Sequence, residues 1–478
     1  MKDNNLKRKT VKGLYWTSLS KFSDYGIQFV IGIVMARLLS PDDYGIAALP
    51  AVFISVAGVF IDSGFANAMI RKPELKEKDL STAFYYSIFV GIVCYLIIYF
   101  SSPFIASFYN TPVLENLMRV TALNFLIGPL STPQYILLKR NLDFKTPTII
   151  SFVSKIIMGL VGIIIAYSGY GVWALILSNL VSSVLNLILC WSVVKWKPQT
   201  GWSSESFQYL WNYGNKLLAS SLIDKLYTNI IPIFVGKFYS TLELGIYNRA
   251  AHYASLPSQQ IMGVVQSVTF PVLSKLQNDD DALERNYRRM IRTTAFILFP
   301  IMLLLSALAR PIIIVLITEK WEKSIILLQL MCFSMMWYPV HAMNLNLLQV
   351  KGRTDLFLRL EIIKKSYGLI ALAITLPISL IAVVLGRWVT NILSLFVNTY
   401  YTNKLIGVSF IMQMKDLLPS LALSMFMFLI VHIVNYFVIG YIYQIIIGTT
   451  VGVSIYIGIA YLLKFKEIKD IKVLLNKY

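Results

Sequence analysis

The chain has 478 residues, 57% of them apolar and 14% charged, and its 43 Lys and Arg against 24 Asp and Glu leave a net charge of +19. Soluble domains run at roughly 45–50% apolar and about 25% charged. That composition argues against a soluble enzyme, a nucleic-acid-binding module and a disordered chain, and for an outer surface that faces lipid.

Apolar stretches of about 20 residues, the length that crosses the hydrocarbon core, recur from Leu14 to Leu463. They predict about 14 spans, centred near residues 25, 57, 90, 125, 157, 182, 228, 260, 300, 337, 373, 395, 428 and 453. With the amino terminus inside, thirty-two of the 43 Lys and Arg fall on cytoplasmic segments. Seven fall on the opposite side: Arg37, Lys237, Arg249, Arg310, Lys320, Lys323 and Arg387. Excess Lys and Arg mark the cytoplasmic side, so both termini are expected there, and the charge sets orientation rather than a nucleic-acid contact. The basic start (Lys2, Lys7, Arg8, Lys9, Lys12) runs into a full-length span, so no cleavable signal is expected.

The longest connections, Lys195–Lys216, Lys275–Arg292 and Lys351–Lys365, are on the cytoplasmic side. The external ones are short, and Arg310–Lys323 carries an apolar run suited to an interfacial helix. No soluble domain fits between the spans. Pro129, Pro133, Pro232, Pro339 and Pro377 interrupt spans as candidate bends. Cys94, Cys190 and Cys332 lie in separate spans without metal-ligand spacing, so small buried hydrophobes are expected rather than disulfides or a metal. No Walker A loop appears, and no cofactor is expected.

The chain repeats itself at an offset of 200. The identities are Ser20/Ser220, Asp24/Asp224, Ile31/Ile231, Ile33/Ile233, Ser40/Ser240, Gly45/Gly245 and Ile46/Ile246, with charge kept at Arg37/Lys237 and Asp43/Glu243. Six spans, an even number, separate the copies, so both halves have one orientation. The expected fold is an all-α polytopic membrane protein with two parallel six-helix bundles, 1–200 and 201–410, plus two additional helices and a tail in 411–478. Parallel repeats about an axis along the membrane normal are a transporter architecture.

Ionisable residues inside spans are costly and face a cavity or a partner. Lys21, Asp24, Tyr25, Gln28 and Gly32 share one stripe of the first span, and Ser220, Asp224, Tyr227 and Thr228, with Lys225 beside them, repeat it. In span eight Arg249, His252, Gln259 and Gln266 fall on one face; Arg119, Lys155 and the pair His341 and Asn344 complete the set. Lys21, Lys155 and Lys225 on the inner side, with Arg119 and Arg249 on the outer, are candidate contacts for an anion that hydrocarbon cannot solvate. Asp24, Asp224, Asp62 and His252 are candidates for binding a coupling ion or for pairing with those cations. Against these stand plainer roles: Lys21 and Asp24 neutralising each other at i and i+3, Arg119, Arg249 and Lys155 snorkelling to the interface, and His252 and His341 satisfied inside a bundle.

The stretches Met35-Ala36-Arg37-Leu38-Leu39-Ser40-Pro41-Asp42-Asp43-Tyr44-Gly45-Ile46, Asp62-Ser63-Gly64-Phe65-Ala66-Asn67-Ala68 and Leu244-Gly245-Ile246-Tyr247-Asn248-Arg249-Ala250-Ala251, followed by Leu256-Pro257, carry a resemblance. With length, span number and duplication, the chain resembles the multidrug/oligosaccharidyl-lipid/polysaccharide exporter superfamily, in its polysaccharide-transport branch of Wzx/WzxC type. The resemblance implies two six-helix bundles in a V that alternates between inward- and outward-open states. It also implies cargo made of glycan repeat units on undecaprenyl diphosphate, with membrane lipids around it and glycan polymerase and chain-length proteins as candidate partners. A cation-coupled drug antiporter and a peptidoglycan-precursor flippase are the alternatives within the superfamily. The antiporter would want an acidic cavity, whereas Lys21, Lys155, Lys225 and Arg249 tilt this interior towards anions. A glycan polymerase or ligase would need a large external loop with convergent acid, base or Arg residues, which the sequence lacks.

Overall fold

The computed structural model describes Trp16, Leu19 and residues 23–475. Among these the chain is helical throughout, with no strand. It packs as two compact units that divide inside one helix, between Gly245 and Ile246.

The first unit holds α1 (23–38), α2 (Pro41–Asp62), α3 (Phe65–Arg71), α4 (Glu77–Phe108), α5 (Val113–Ala122), α6 (Asn124–Arg140), α7 (Lys145–Tyr167), α8 (Trp173–Val193), α9 (Ser204–Phe238) and the start of α10 (Thr241–Lys275). The second holds the rest of α10, α11 (Asp280–Ala307), α12 (Ala309–Ile317), a short 3-10 turn Glu319–Trp321, α13 (Ser324–Met335), α14 (Tyr338–Val350), α15 (Thr354–Thr375), α16 (Leu380–Ile406), α17 (Phe410–Phe437), α18 (Tyr441–Leu462) and α19 (Lys466–Leu475).

Ten of the described helical segments are long and apolar enough to cross a membrane, and the protein is a multi-pass membrane protein. The other four expected centres, near 25, 125, 260 and 373, fall on α1, α6, α10 and α15. α6, with 17 residues, and the described part of α1 are too short to qualify, whereas polar load sets the other two apart: α10 carries Glu243, Arg249, His252, Gln259 and Gln266, and α15 carries Asp355, Arg359, Glu361, Lys364 and Lys365. Large apolar side chains such as Phe100, Phe104, Ile164, Ile378 and Ile439 are left exposed, an arrangement that suits lipid and not water.

The prolines act in different ways. Pro129 and Pro133 sit within α6 and Pro232 within α9. Pro339 instead opens α14 after a break from α13, where its missing N–H costs nothing. The run 310–323, expected as an interfacial helix, is helical over Ala309–Ile317 and turns at Glu319–Trp321. Pro311, Ile313, Ile317 and Trp321 are buried inside the second unit, and Arg310 pairs with Glu322 at 2.9 Å.

The resembling motifs are accounted for by backbone geometry. Ser40 caps α2: its hydroxyl accepts from the Asp43 N–H at 3.2 Å, while the Asp43 carboxylate accepts from the Ser40 N–H at 2.9 Å. At the equivalent place Ser240 accepts from the Glu243 N–H at 3.1 Å. Within the first unit these two helix starts cross. A methyl group on Gly45 would overlap the Thr241 carbonyl, and one on Gly245 would overlap the Pro41 carbonyl. The two contacts are related by the same offset of 200 as the sequence repeat. Thr241 Oγ1 also donates to Asp42 Oδ1 across the crossing. In the motif after α2, Ser63 (φ 45) and Gly64 (φ +72) turn the chain through left-handed backbone, a conformation that favours glycine. There the turn packs on Gly214 of α9: a methyl on Gly214 would strike the Ser63 carbonyl, and one on Gly64 would crowd Leu217 and Gly214.

Candidate functional site

α1 and α7 meet along matched stripes. On α7, Ser151, Lys155 and Gly159 recur every four residues and so share a face. Gly159 admits the Ile31 side chain of α1, which a methyl there would displace. One end of that contact is polar. Lys155 Nζ donates to Asp24 Oδ1 at 2.8 Å, and Ser151 Oγ donates to the same oxygen at 3.2 Å. The two charged side chains stay 21% and 25% exposed, which keeps part of each charge solvated.

The structure therefore brings together Lys155, expected as an anion contact, and Asp24, expected as a coupling or pairing acid. Lys21, the expected neighbour of Asp24, lies outside the described residues. Arg119 sits on the short helix α5 and is held locally. It pairs with Glu115 at 2.7 Å, donates to Ser102 Oγ at 3.1 Å and lies over the Tyr99 ring at 4.6 Å. Only Leu123, itself with helical backbone, separates α5 from α6, so Arg119 lies one turn before that interruption.

Asp224 and Lys225 are both exposed on α9. Asp62 ends α2 just before the left-handed turn, with the Gly64 and Ala66 N–H groups beside its carboxylate. In the second unit Arg249 is 7% exposed, with its guanidinium over the rings of Trp321 at 5.1 Å and Tyr253 at 5.7 Å. Aromatic faces stabilise a cation in a poorly hydrated place. His252, one residue before Tyr253, is exposed.

The second unit also contains a buried amide network of which the sequence pointed to two members. Asn344 Oδ1 accepts from Thr402 Oγ1 at 2.6 Å and from Gln413 Nε2 at 3.0 Å, and Asn344 Nδ2 donates to Gln413 Oε1 at 3.2 Å. His341 Nδ1 lies 3.2 Å from Asn398 Nδ2. Buried polar groups that satisfy one another fix the register of α14, α16 and α17. Their signal in sequence is only that amides and hydroxyls interrupt apolar spans. No group of three or more His, Cys, Asp and Glu close enough to hold a metal ion occurs among the described residues, and all three cysteines are free.

An all-helical multi-pass chain with an internal repeat and charged pairs on its spans defines the transporter class within which this fold falls. By fold it is similar to the solved "Lipid II flippase MurJ, inward closed conformation", with a TM-score of 0.77 at 18% identity over 93% of this chain and 98% of that one. It is also similar to the "Inward-facing conformation of a multidrug resistance MATE family transporter of the MOP superfamily", with a TM-score of 0.60 at 17% identity over 79% and 94%. The family described as "Polysaccharide biosynthesis protein" matches residues 34–326, more than half of the chain, and the chain belongs to that family. Among curated relatives it is 26% identical to "Teichuronic acid biosynthesis protein TuaB" of Bacillus subtilis (strain 168), over 74% of this chain and 73% of that one. It is 25% identical to "Lipopolysaccharide biosynthesis protein WzxC" of Escherichia coli (strain K12), over 75% and 74%.

Proposed function

We propose that this protein moves undecaprenyl-diphosphate-linked oligosaccharide repeat units across a bacterial cytoplasmic membrane for polysaccharide biosynthesis, by alternating access and without covalent chemistry. Both termini then face the cytoplasm, the side of the thirty-two Lys and Arg. The observation that carries the reading is the family match over 34–326, which includes both copies of the repeated motif. The two relatives are named for different glycans, teichuronic acid and lipopolysaccharide, so the common cargo is a class of precursor and not one sugar.

The half-open Lys155–Asp24 pair suits such cargo. A diphosphate that reaches Lys155 competes with Asp24 for one ammonium group, and because neither charge is fully desolvated the exchange costs little. Arg249, against Trp321 and Tyr253, is the corresponding contact proposed in the second unit. Lys21, Lys225 and Arg119 remain candidates for the same anion, and Asp224, Asp62 and His252 for charge pairing or ion coupling. Membrane lipids surround the chain, with glycan polymerase and chain-length proteins as its proposed partners.

Deletion of the gene tests the reading. Lipid-linked repeat units are expected to accumulate on the inner leaflet while the surface glycan disappears. Intracellular dye accumulation with surface glycan intact would instead favour the drug-antiporter alternative.

A further inference from the structure

The first unit carries an open cleft of about 620 Å³ that none of the span charges explains. One wall is the turn between α3 and α4, with Lys72, Pro73, Glu74 and Lys76; the other is the start of α9, with Glu205, Gln208, Tyr209 and Asn212. The α9 residues fall at i, i+3, i+4 and i+7, one stripe over two turns, and all four are exposed. The size lies within the roughly 300–1,000 Å³ usual for small-molecule sites.

Both walls are firmly held. Arg140 donates to the carbonyls of Met69 at 2.7 Å and Pro73 at 3.0 Å. The segment before α9 is clipped to the start of α4: Trp196 Nε1 donates to Glu77 Oε2 at 2.7 Å, the Gln199 N–H to Ser81 Oγ at 2.9 Å, and the Ser203 N–H to Thr82 Oγ1 at 3.2 Å.

The lining balances Lys72 and Lys76 against Glu74 and Glu205, with no excess of positive charge for a diphosphate. Lys72 is taken by the Asp79 carboxylate, 2.8 Å from both oxygens, and lies 4.6 Å over the Tyr209 ring. That leaves Lys76 against Glu74 and Glu205. What remains are carboxylates and amides, which accept and donate to paired hydroxyls, and an exposed phenol ring. A flat ring beside hydrogen-bonding side chains complements the apolar face and hydroxyl rim of a pyranose.

We infer that this cleft docks the sugar portion of the cargo, with the Tyr209 face opposite Lys72 as the ring contact and Glu205, Gln208, Asn212 and Glu74 as hydroxyl contacts. The inference rests on the transport reading, because it takes the glycan to be the part of the substrate that meets this face before crossing. Both walls come from segments expected on the cytoplasmic side, where Arg71, Lys72, Lys76, Lys78, Lys195, Lys197 and Lys216 lie.

The test uses the purified full chain in lipid nanodiscs. The probe is the free oligosaccharide released by mild acid from the host's own lipid-linked pool and labelled at its reducing end. Saturable binding is expected, weakened roughly tenfold in Tyr209→Ala and in Gln208→Ala/Asn212→Ala, the loss of one ring contact and a pair of hydrogen bonds. Tyr209→Phe keeps the ring and is expected to bind like the unmodified protein, which separates ring contact from misfolding. Undiminished binding in both Ala variants, no saturable binding, or displacement by inorganic pyrophosphate would each overturn the inference. The transport reading fails on a different result, an intact surface glycan in the deletion strain, so the two are separable.

Discussion

Two carboxylate–cation sites in this molecule use the same residue types for different ends. Asp24 meets Lys155 through one ammonium contact, with both side chains between a fifth and a quarter exposed. Asp416 on α17 is 7% exposed and receives the fork of Arg288 at 2.7 and 3.1 Å, with Arg292 at 3.6 Å. Arg292 continues to Glu467 at 3.6 Å, and Arg289 reaches Asp470 at 2.8 Å, so α11, α17 and α19 are tied at one point. A bidentate guanidinium fixes direction and distance, and a buried carboxylate cannot be released cheaply. A single ammonium on a partly hydrated carboxylate has neither constraint. The first site is suited to exchanging partners, and the second to holding helices.

The contrast breaks most visibly at Asp416. Asp416→Asn leaves two guanidinium groups without their shared carboxylate and is expected to cost about 2–4 kcal/mol, reduced from the full buried-pair range because the arginines keep about a quarter of their exposure. The thermal midpoint of the purified protein checks this, and a loss no larger than that of Asp24→Asn would erase the distinction.

A smaller stability effect but a larger functional one is expected at the other site. Lys155→Gln is expected to lower stability by about 0.5–1 kcal/mol while glycan transport falls roughly tenfold, the scale of one charged hydrogen bond. The double variant Asp24→Asn/Lys155→Gln sharpens the point. Stability is expected to return without transport, whereas recovery of both would make the pair purely structural.

The smallest effect is expected at Arg353 and Asp355, an exposed pair at the N-cap and first turn of α15, on the connection expected outside the spans. The guanidinium, which donates at 2.7 and 2.9 Å, holds the Asp355 carboxyl down to about 2. A depressed carboxyl contributes above its unfolded value near 3.8 and loses that contribution as pH falls through about 2. Solvent screening leaves little to lose, so Asp355→Asn is expected to leave the melting curve unchanged between pH 5 and 8. A measurable drop there would mean that exposed pairs matter more than the contrast allows.

Much of the architecture was legible because it follows from local chemistry. The Ser40/Asp43 and Ser240/Glu243 caps mark helix starts, and ten of the expected centres fall on segments long and apolar enough to cross a membrane. The site was legible only by face. Periodicity assigns Asp24 and Ser151 each to a stripe, but they lie 127 positions apart, and which stripe meets which depends on packing. The same holds for Arg288 and Asp416, 128 positions apart. The interruption at Leu123 carries no proline or glycine to announce it. The cleft beside Tyr209 was missed because half its wall is a turn, and turns have no period.

The crossing of Gly45 and Gly245 has a consequence for substitution. Each helix start acts there as the mould for the other: a methyl on Gly45 would strike the Thr241 carbonyl, and one on Gly245 the Pro41 carbonyl. A side chain added at either glycine would therefore have to shift main chain in the facing helix start as well as in its own, so the two positions are locked to each other's size.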